Sequence, residues 1–116
     1  METKAHRPDI TVIHGAEAAW VESARNPEET DPPGRECTAF ETVGFSVGLW
    51  ERDRQCRRFE RPHHEVAFIV EGEVEVTLDD GRILHAGPGD ILVTPKGSKG
   101  FWRSLSPLKK VWAISE

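Results

Sequence analysis

The sequence predicts an all-β fold. Short apolar-rich runs follow one another from about Val43 with turn signals between them, the spacing of a many-stranded β domain. An Asp80-Gly81 pair separates two such runs and reads as a two-residue hairpin turn. Ala67-Phe-Ile-Val70 is apolar at successive positions, the mark of a strand covered on both faces. A chain of 116 residues has room for one domain, because domains typically run to roughly 100–200 residues.

Residues 1–34 are the least regular part and are expected to form an arm, with 35–116 as the barrel domain. Ile10 to Ile13 could be a short strand, Ala16 to Ala24 has some helical content, and Pro27 to Gly34 is a breaker-rich linker. Trp20 needs burial, so an arm packed on the barrel or on a neighbouring subunit is expected rather than a free tail. The expected strands are then Val43 to Glu51, Cys56 to Glu60, Glu65 to Val70 and Glu73 to Leu78. After the Asp80-Gly81 turn come Arg82 to Leu84, Ile91 to Thr94, Gly100 to Leu105 and Lys110 to Ser115. Val111, Trp112 and Ile114 add to the apolar surplus of Ala67 to Val70. Sheet-on-sheet packing plus a subunit interface would cover it, so a homodimer is expected.

Composition excludes several classes. The chain carries 20 Asp and Glu against 15 Lys and Arg, a net charge of −5, which gives a polyanion little long-range attraction and argues against nucleic acid. No stretch approaches the ~20 apolar residues of a membrane helix, and the charged start METKAHRPD lacks the apolar run of a signal peptide. A soluble cytoplasmic protein with no membrane partner is the expectation. Cys37 and Cys56 lack a C-x-x-C pairing, which speaks against a zinc ribbon or redox dithiol and for two free, buried thiols. No phosphate-binding loop, dinucleotide fingerprint or nucleophile elbow occurs.

Two segments carry a resemblance. Glu65 is followed by Val-Ala-Phe-Ile-Val-Glu-Gly72, and further on stands Gly89-Asp-Ile-Leu-Val-Thr-Pro95-Lys-Gly97. Gly72 suits a turn between strands, Gly87 and Gly89 a sharp reversal before Asp90, and Pro95 with Gly97 a tight turn. In this order and at this separation they resemble the two signature motifs of the cupin superfamily. The resemblance covers roughly residues 43–115 and implies a cupin (RmlC-like) double-stranded β-helix, a jelly-roll barrel closing two sheets around a cavity. Gly48-Leu-Trp-Glu51, the Phe59 segment, Gly87-Pro-Gly-Asp90 and Gly100-Phe-Trp102 bring it closer to a small single-domain subfamily. That subfamily resembles ureidoglycine aminohydrolase and the ethanolamine-utilisation cupin. Such widely reused folds narrow the shape more than the chemistry.

The superfamily's metal site takes an H-x-H pair and an acid from the first motif and a histidine from the second. Here the pair falls on Phe59 and Arg61, or on Arg58 and Glu60, and the last histidine falls on Gly100. Only Glu65 survives, so no metal cofactor is expected. A bulge before Glu65 could still bring His63 or His64 inward with His85 joining them, and a divalent metal would then be held by His63, His64, Glu65 and His85.

Arg52, Arg54, Arg57, Arg58 and Arg61 form a basic cluster, read as a solvated edge, with Arg61 kept as a cavity residue able to meet a carboxylate. Trp102 shares a strand face with Gly100 and could wall a pocket with Phe59 and Trp50, although core packing explains large aromatics in a small barrel equally. Asp79, Asp80 and Asp90 are read as turn residues. Glu65 could shuttle a proton as a catalytic acid, or be neutralised by Arg61 and serve only structure. The leading expectation is a metal-free cupin binding a small polar, carboxylate-bearing metabolite through Trp50, Phe59, Arg61, Glu65 and Trp102. The alternatives are a metal-dependent enzyme resembling ureidoglycine aminohydrolase, acting on a small nitrogen-containing metabolite, and a structural dimerisation module.

Overall fold

The computed structural model describes residues 10–24 and 29–116. The charged start at residues 1–9 and the opening of the linker, residues 27 and 28, lie outside the described residues. A single 3-10 turn, Gly15–Glu17, precedes the strands β1 (Val21–Glu22), β2 (Arg35–Thr42), β3 (Phe45–Arg52), β4 (Cys56–Glu60) and β5 (His64–Glu71). The series continues with β6 (Val74–Leu78), β7 (Ile83–Ala86), β8 (Ile91–Thr94), β9 (Lys99–Ser104) and β10 (Leu108–Ser115). They form two antiparallel sheets, ordered β1-β2-β3-β10-β5-β8 and β4-β9-β6-β7. Neighbours distant in sequence, such as β10 between β3 and β5, give the jelly-roll architecture that the two motifs imply.

Alternation decides which residues fill the interior. In β9, Gly100, Trp102 and Ser104 are buried between exposed Lys99, Phe101 and Arg103. Their inner face meets Phe59 of β4, Val74 and Val76 of β6, and Ile69 of β5 in one apolar cluster. The Phe59 and Trp102 rings meet edge to face with centroids 6.4 Å apart, a preferred aromatic geometry. On β3, Gly48 lies opposite Trp112 of β10. A Cβ there would collide with the Cys37 carbonyl oxygen and the Trp112 ring. The missing side chain makes room for an indole on the inner wall.

Several expectations are corrected. Ile10 to Ile13 is not a strand, since no neighbouring strand pairs with it and Ile10 is exposed. The helical content of Ala16 to Ala24 reduces to the one 3-10 turn. Strand β2 was not anticipated, because its inward positions include polar Glu36 and Thr38 and its sequence shows no apolar alternation. Beyond Leu78 the chain reverses over Asp79, Asp80 and Gly81, where Leu78 N–H donates to the Arg82 carbonyl at 2.8 Å. Gly81 has φ 91°, and among the described residues no non-glycine residue has a positive φ. A two-residue type I′ turn would need one at Asp80 as well; Asp80 instead accepts the Arg82 N–H at 3.0 Å. Cys37 is buried as expected and Cys56 is exposed, both free.

Trp20 is half-buried, with its Nε1–H donating to Gly15 C=O and the Arg35 guanidinium over its ring at 4.8 Å. With the β1–β2 pairing, this packs the arm on the barrel. Among the described residues, no helix is long and apolar enough to cross a membrane.

Gly48→Ala is expected to lower stability by about 1–3 kcal/mol, the usual cost of overpacking. An unchanged denaturation midpoint would show that Trp112 can move aside.

Candidate functional site

A cavity of about 320 Å³ lies between the sheets, lined on one side by Trp50, Lys110 and Glu65 and on the other by Phe59, Arg61 and Trp102. Within it two cations share one carboxylate oxygen. Lys110 Nζ stands 3.3 Å from Glu65 Oε2 and Arg61 Nη2 3.5 Å from the same atom. The side chains are largely withdrawn from water, Lys110 being 9% exposed and Glu65 12%. Lys110 Nζ also lies 4.8 Å from the ring centroids of both Trp50 and Trp102. The Arg61 guanidinium covers Phe59 at 4.7 Å. Such contacts place positive charge on the electron-rich faces of the rings. Burial pushes the Lys110 ammonium below the usual lysine range against the opposing pull of Glu65, and Arg61 adds to the depression. Burial likewise lowers Arg61, although a guanidinium keeps its proton.

Arg61 is held in place by the second motif. Its N–H donates to Ser98 C=O at 2.9 Å, and its own carbonyl accepts the Gly97 N–H at 2.8 Å. Its Nε donates to Thr94 Oγ1 at 3.0 Å. The turn from Pro95 to Ser98, closed by Ser98 N–H on the Pro95 carbonyl at 2.9 Å, thereby fixes a residue that lies far earlier in the chain. The Trp102 indole N–H is buried with no hydrogen-bond partner among the described residues.

Five residues read as a pocket are brought together here: Trp50, Phe59, Arg61, Glu65 and Trp102 all line one cavity. The alternative metal set is not. His64 and Glu65 alternate to opposite faces of β5, and His64 Nδ1 accepts the Lys96 N–H at 3.0 Å. His85 stands 3.5 Å from Glu73, and His63 borders a separate depression beside Glu41 and Glu116. Phe59 and Gly100 are register partners on β4 and β9, and a Cβ at Gly100 would stand 2.6 Å from the Thr77 carbonyl oxygen. Among the described residues, no group of three or more His, Cys, Asp or Glu is placed to hold a metal ion. With two cations facing Glu65, the donor chemistry does not fit a divalent ion.

The basic cluster divides. Arg54 and Arg58 are exposed, as a solvated edge would be. Arg52 is buried and pairs with Glu29 of the arm at 2.8 Å, with side-chain exposures of 1% and 4%. Arg57 reaches the other Glu29 oxygen at 3.0 Å, and Gln55 donates to it at 3.4 Å. Burial works to raise the Glu29 carboxyl, but Arg52, Gln55 and Arg57 together hold it below the usual range. Ser23 and Ala24 also line the cavity.

Lys110, Arg52, Glu29 and Trp112 were missed by sequence reasoning. Trp112 and Ile114, read as part of an apolar surplus covered by sheet packing and a subunit interface, line the cavity between the sheets. Strand β10 runs Leu108, Lys110, Trp112, Ile114 on its inner face. A lysine in an otherwise apolar alternating set was the signal available.

Residues 41–112 match the family of EutQ-like cupin domains. The solved structures similar to this chain include the EutQ protein of Clostridium difficile, at 15% identity and a TM-score of 0.69, covering 90% of this chain and 80% of that one. A DUF861 family protein of Thermotoga maritima is 33% identical over 55% of this chain and 73% of its own, with a TM-score of 0.53. A DUF861 family protein of unknown function from Pseudomonas syringae pv. tomato reaches a TM-score of 0.77 at 23% identity, over 85% of this chain and 45% of its own. No curated protein matches the chain.

Removing the Glu29 carboxylate leaves Arg52 buried without its charge partner, and Glu29→Ala is expected to cost about 3–5 kcal/mol. Because the folded pKa of Glu29 is depressed, its contribution is present above the unfolded value, about 4.3. It is lost as pH falls through the folded value. The stability gap between the natural protein and Glu29→Gln should therefore close in acid, and a gap that persists to low pH would contradict the pairing.

Proposed function

The chain belongs to the family of EutQ-like cupin domains, and on that premise we propose that its barrel binds a small carboxylate-bearing metabolite without a metal ion. The observation that carries this reading is the sharing of Glu65 Oε2 by Lys110 and Arg61 inside an aromatic-walled cavity. Among the described residues, Glu65 is the one carboxylate within ion-pair distance of Lys110 and Arg61, Glu36 acting on Lys110 from farther off, and a second carboxylate is the ligand chemistry that completes the pairing. Trp50, Phe59 and Trp102 then flank the apolar body of the ligand, and Glu65 keeps the cations aimed. We assign binding to a barrel domain of residues 35–116, with an arm of residues 1–34 adding Ser23 and Ala24 to the lining and Glu29 as the partner of Arg52.

A metal-dependent enzyme resembling ureidoglycine aminohydrolase is less well supported, since His63, His64, Glu65 and His85 do not converge. A purely structural module accounts less well for a cavity of about 320 Å³. A second copy of the chain remains part of the proposal. Outward-facing Val66, Phe68 and Val70 of β5 adjoin Ile91 and Val93 of β8, and Phe68 is 44% and Ile91 64% exposed, a continuous apolar face of the kind that marks interfaces.

Isothermal titration and thermal shifts with short carboxylates test the binding site. Arg61→Met is expected to weaken binding roughly tenfold to a hundredfold, the worth of a hydrogen bond to a charged group. Equal binding of matched amides and carboxylates would refute the reading. For assembly, light scattering should report a dimer that Phe68→Glu converts to a monomer; a natural protein monomeric at micromolar concentration removes the second copy.

A further inference from the structure

The amine of Lys110 is more than a counter-charge. It projects from β10 into the cavity, 4.8 Å from two indole rings that restrict water around it. The charged groups facing it are Glu65 from β5, Arg61 beyond the end of β4 and Glu36 from β2. A lysine becomes a nucleophile when desolvation and a neighbouring cation favour its neutral form and a nearby base takes its proton. All three are present here: burial depresses the ammonium, Arg61 adds to this, and the Glu65 carboxylate lies 3.3 Å from Nζ.

We propose that Lys110 condenses with the carbonyl group of a small 2-oxo carboxylate bound in this cavity. The proposal rests on the carboxylate-binding reading and deepens it. Arg61 Nη2 and Lys110 Nζ both stand within 3.5 Å of one oxygen atom. A ligand carboxylate held by Arg61 thus brings the adjacent carbonyl carbon within reach of Nζ. Lys110 gives its ammonium proton to Glu65, and the freed Nζ lone pair attacks the carbonyl carbon. A C–N bond forms while the C=O π pair moves to oxygen, which takes the proton back from Glu65. Nitrogen then gives its second proton to Glu65, which passes it to the hydroxyl; the C–O bond breaks, water leaves, and the nitrogen lone pair forms the C=N bond. Amine and carbonyl become imine and water, with no change of oxidation state.

The full chain is incubated near neutral pH, where an ordinary lysine of pKa about 10.4 is almost wholly protonated, with pyruvate and sodium cyanoborohydride as the hydride source. Peptide mapping by mass spectrometry should find one reduced adduct on Lys110. Lys110→Arg should lose it, and the natural protein should also bind propionate, a carboxylate without the carbonyl. Glu65→Gln should slow it about a hundredfold, the scale of general acid–base help. Propionate binding with no pyruvate adduct, or an adduct spread equally over exposed Lys96 and Lys99, overturns the proposal and leaves the binding reading standing. Labelling of Lys110 with no propionate binding removes the carboxylate reading and keeps the amine chemistry. Neither binding nor labelling removes both.

Discussion

The interior of this barrel is organised by the Glu65 carboxylate and the two cations that meet it. Charge removed from water is costly unless paired. The pairing here joins opposite sides of the fold, Lys110 coming from the six-stranded sheet and Arg61 from the chain leaving β4 of the four-stranded sheet. Apolar side chains cannot fill the space around such a group without stranding it. Indole and phenyl faces can, because they accept a cation while remaining hydrophobic on their outer side. The cavity, its aromatic walls and the ionic group are therefore a single solution to one constraint.

The fold was legible because its signals are local. Gly87-Pro-Gly-Asp90 reads as a reversal, and the structure closes it with Asp90 N–H on the Gly87 carbonyl and Gly87 N–H on the Asp90 carboxylate. The strands from Cys56 onward follow alternation or apolar runs that sequence alone displays. Strand β2 does not, since a strand bordering a polar cavity loses the apolar half of its pattern. The length of the hairpin at Gly81 was misjudged for a different reason: Asp-Gly supports more than one turn, and the choice lies in the φ of Asp80, which no residue code states.

The site was half legible. Phe59, Arg61 and Gly100 were found by counting from motif positions, a method that locates what a family pattern expects and nothing else. Lys110 lies outside both motifs. Its role depends on β10 being inserted between β3 and β5, a long-range arrangement set by the whole topology. Glu29 was hidden in a segment read as linker, and its meaning appears only once Arg52 and Arg57 are beside it. Reading Val111, Trp112 and Ile114 as one apolar surplus ignored that strand neighbours face opposite ways.

The backbone of Arg61 is bonded at both its N–H and its carbonyl to the turn that follows β8, so the guanidinium is carried on a fixed mount. A ligand meeting such a mount surrenders its own freedom but asks little reorganisation of the protein. The consequence is selectivity by fit: a rigid cradle discriminates between homologous acids by chain length, where a pliant one would tolerate them all.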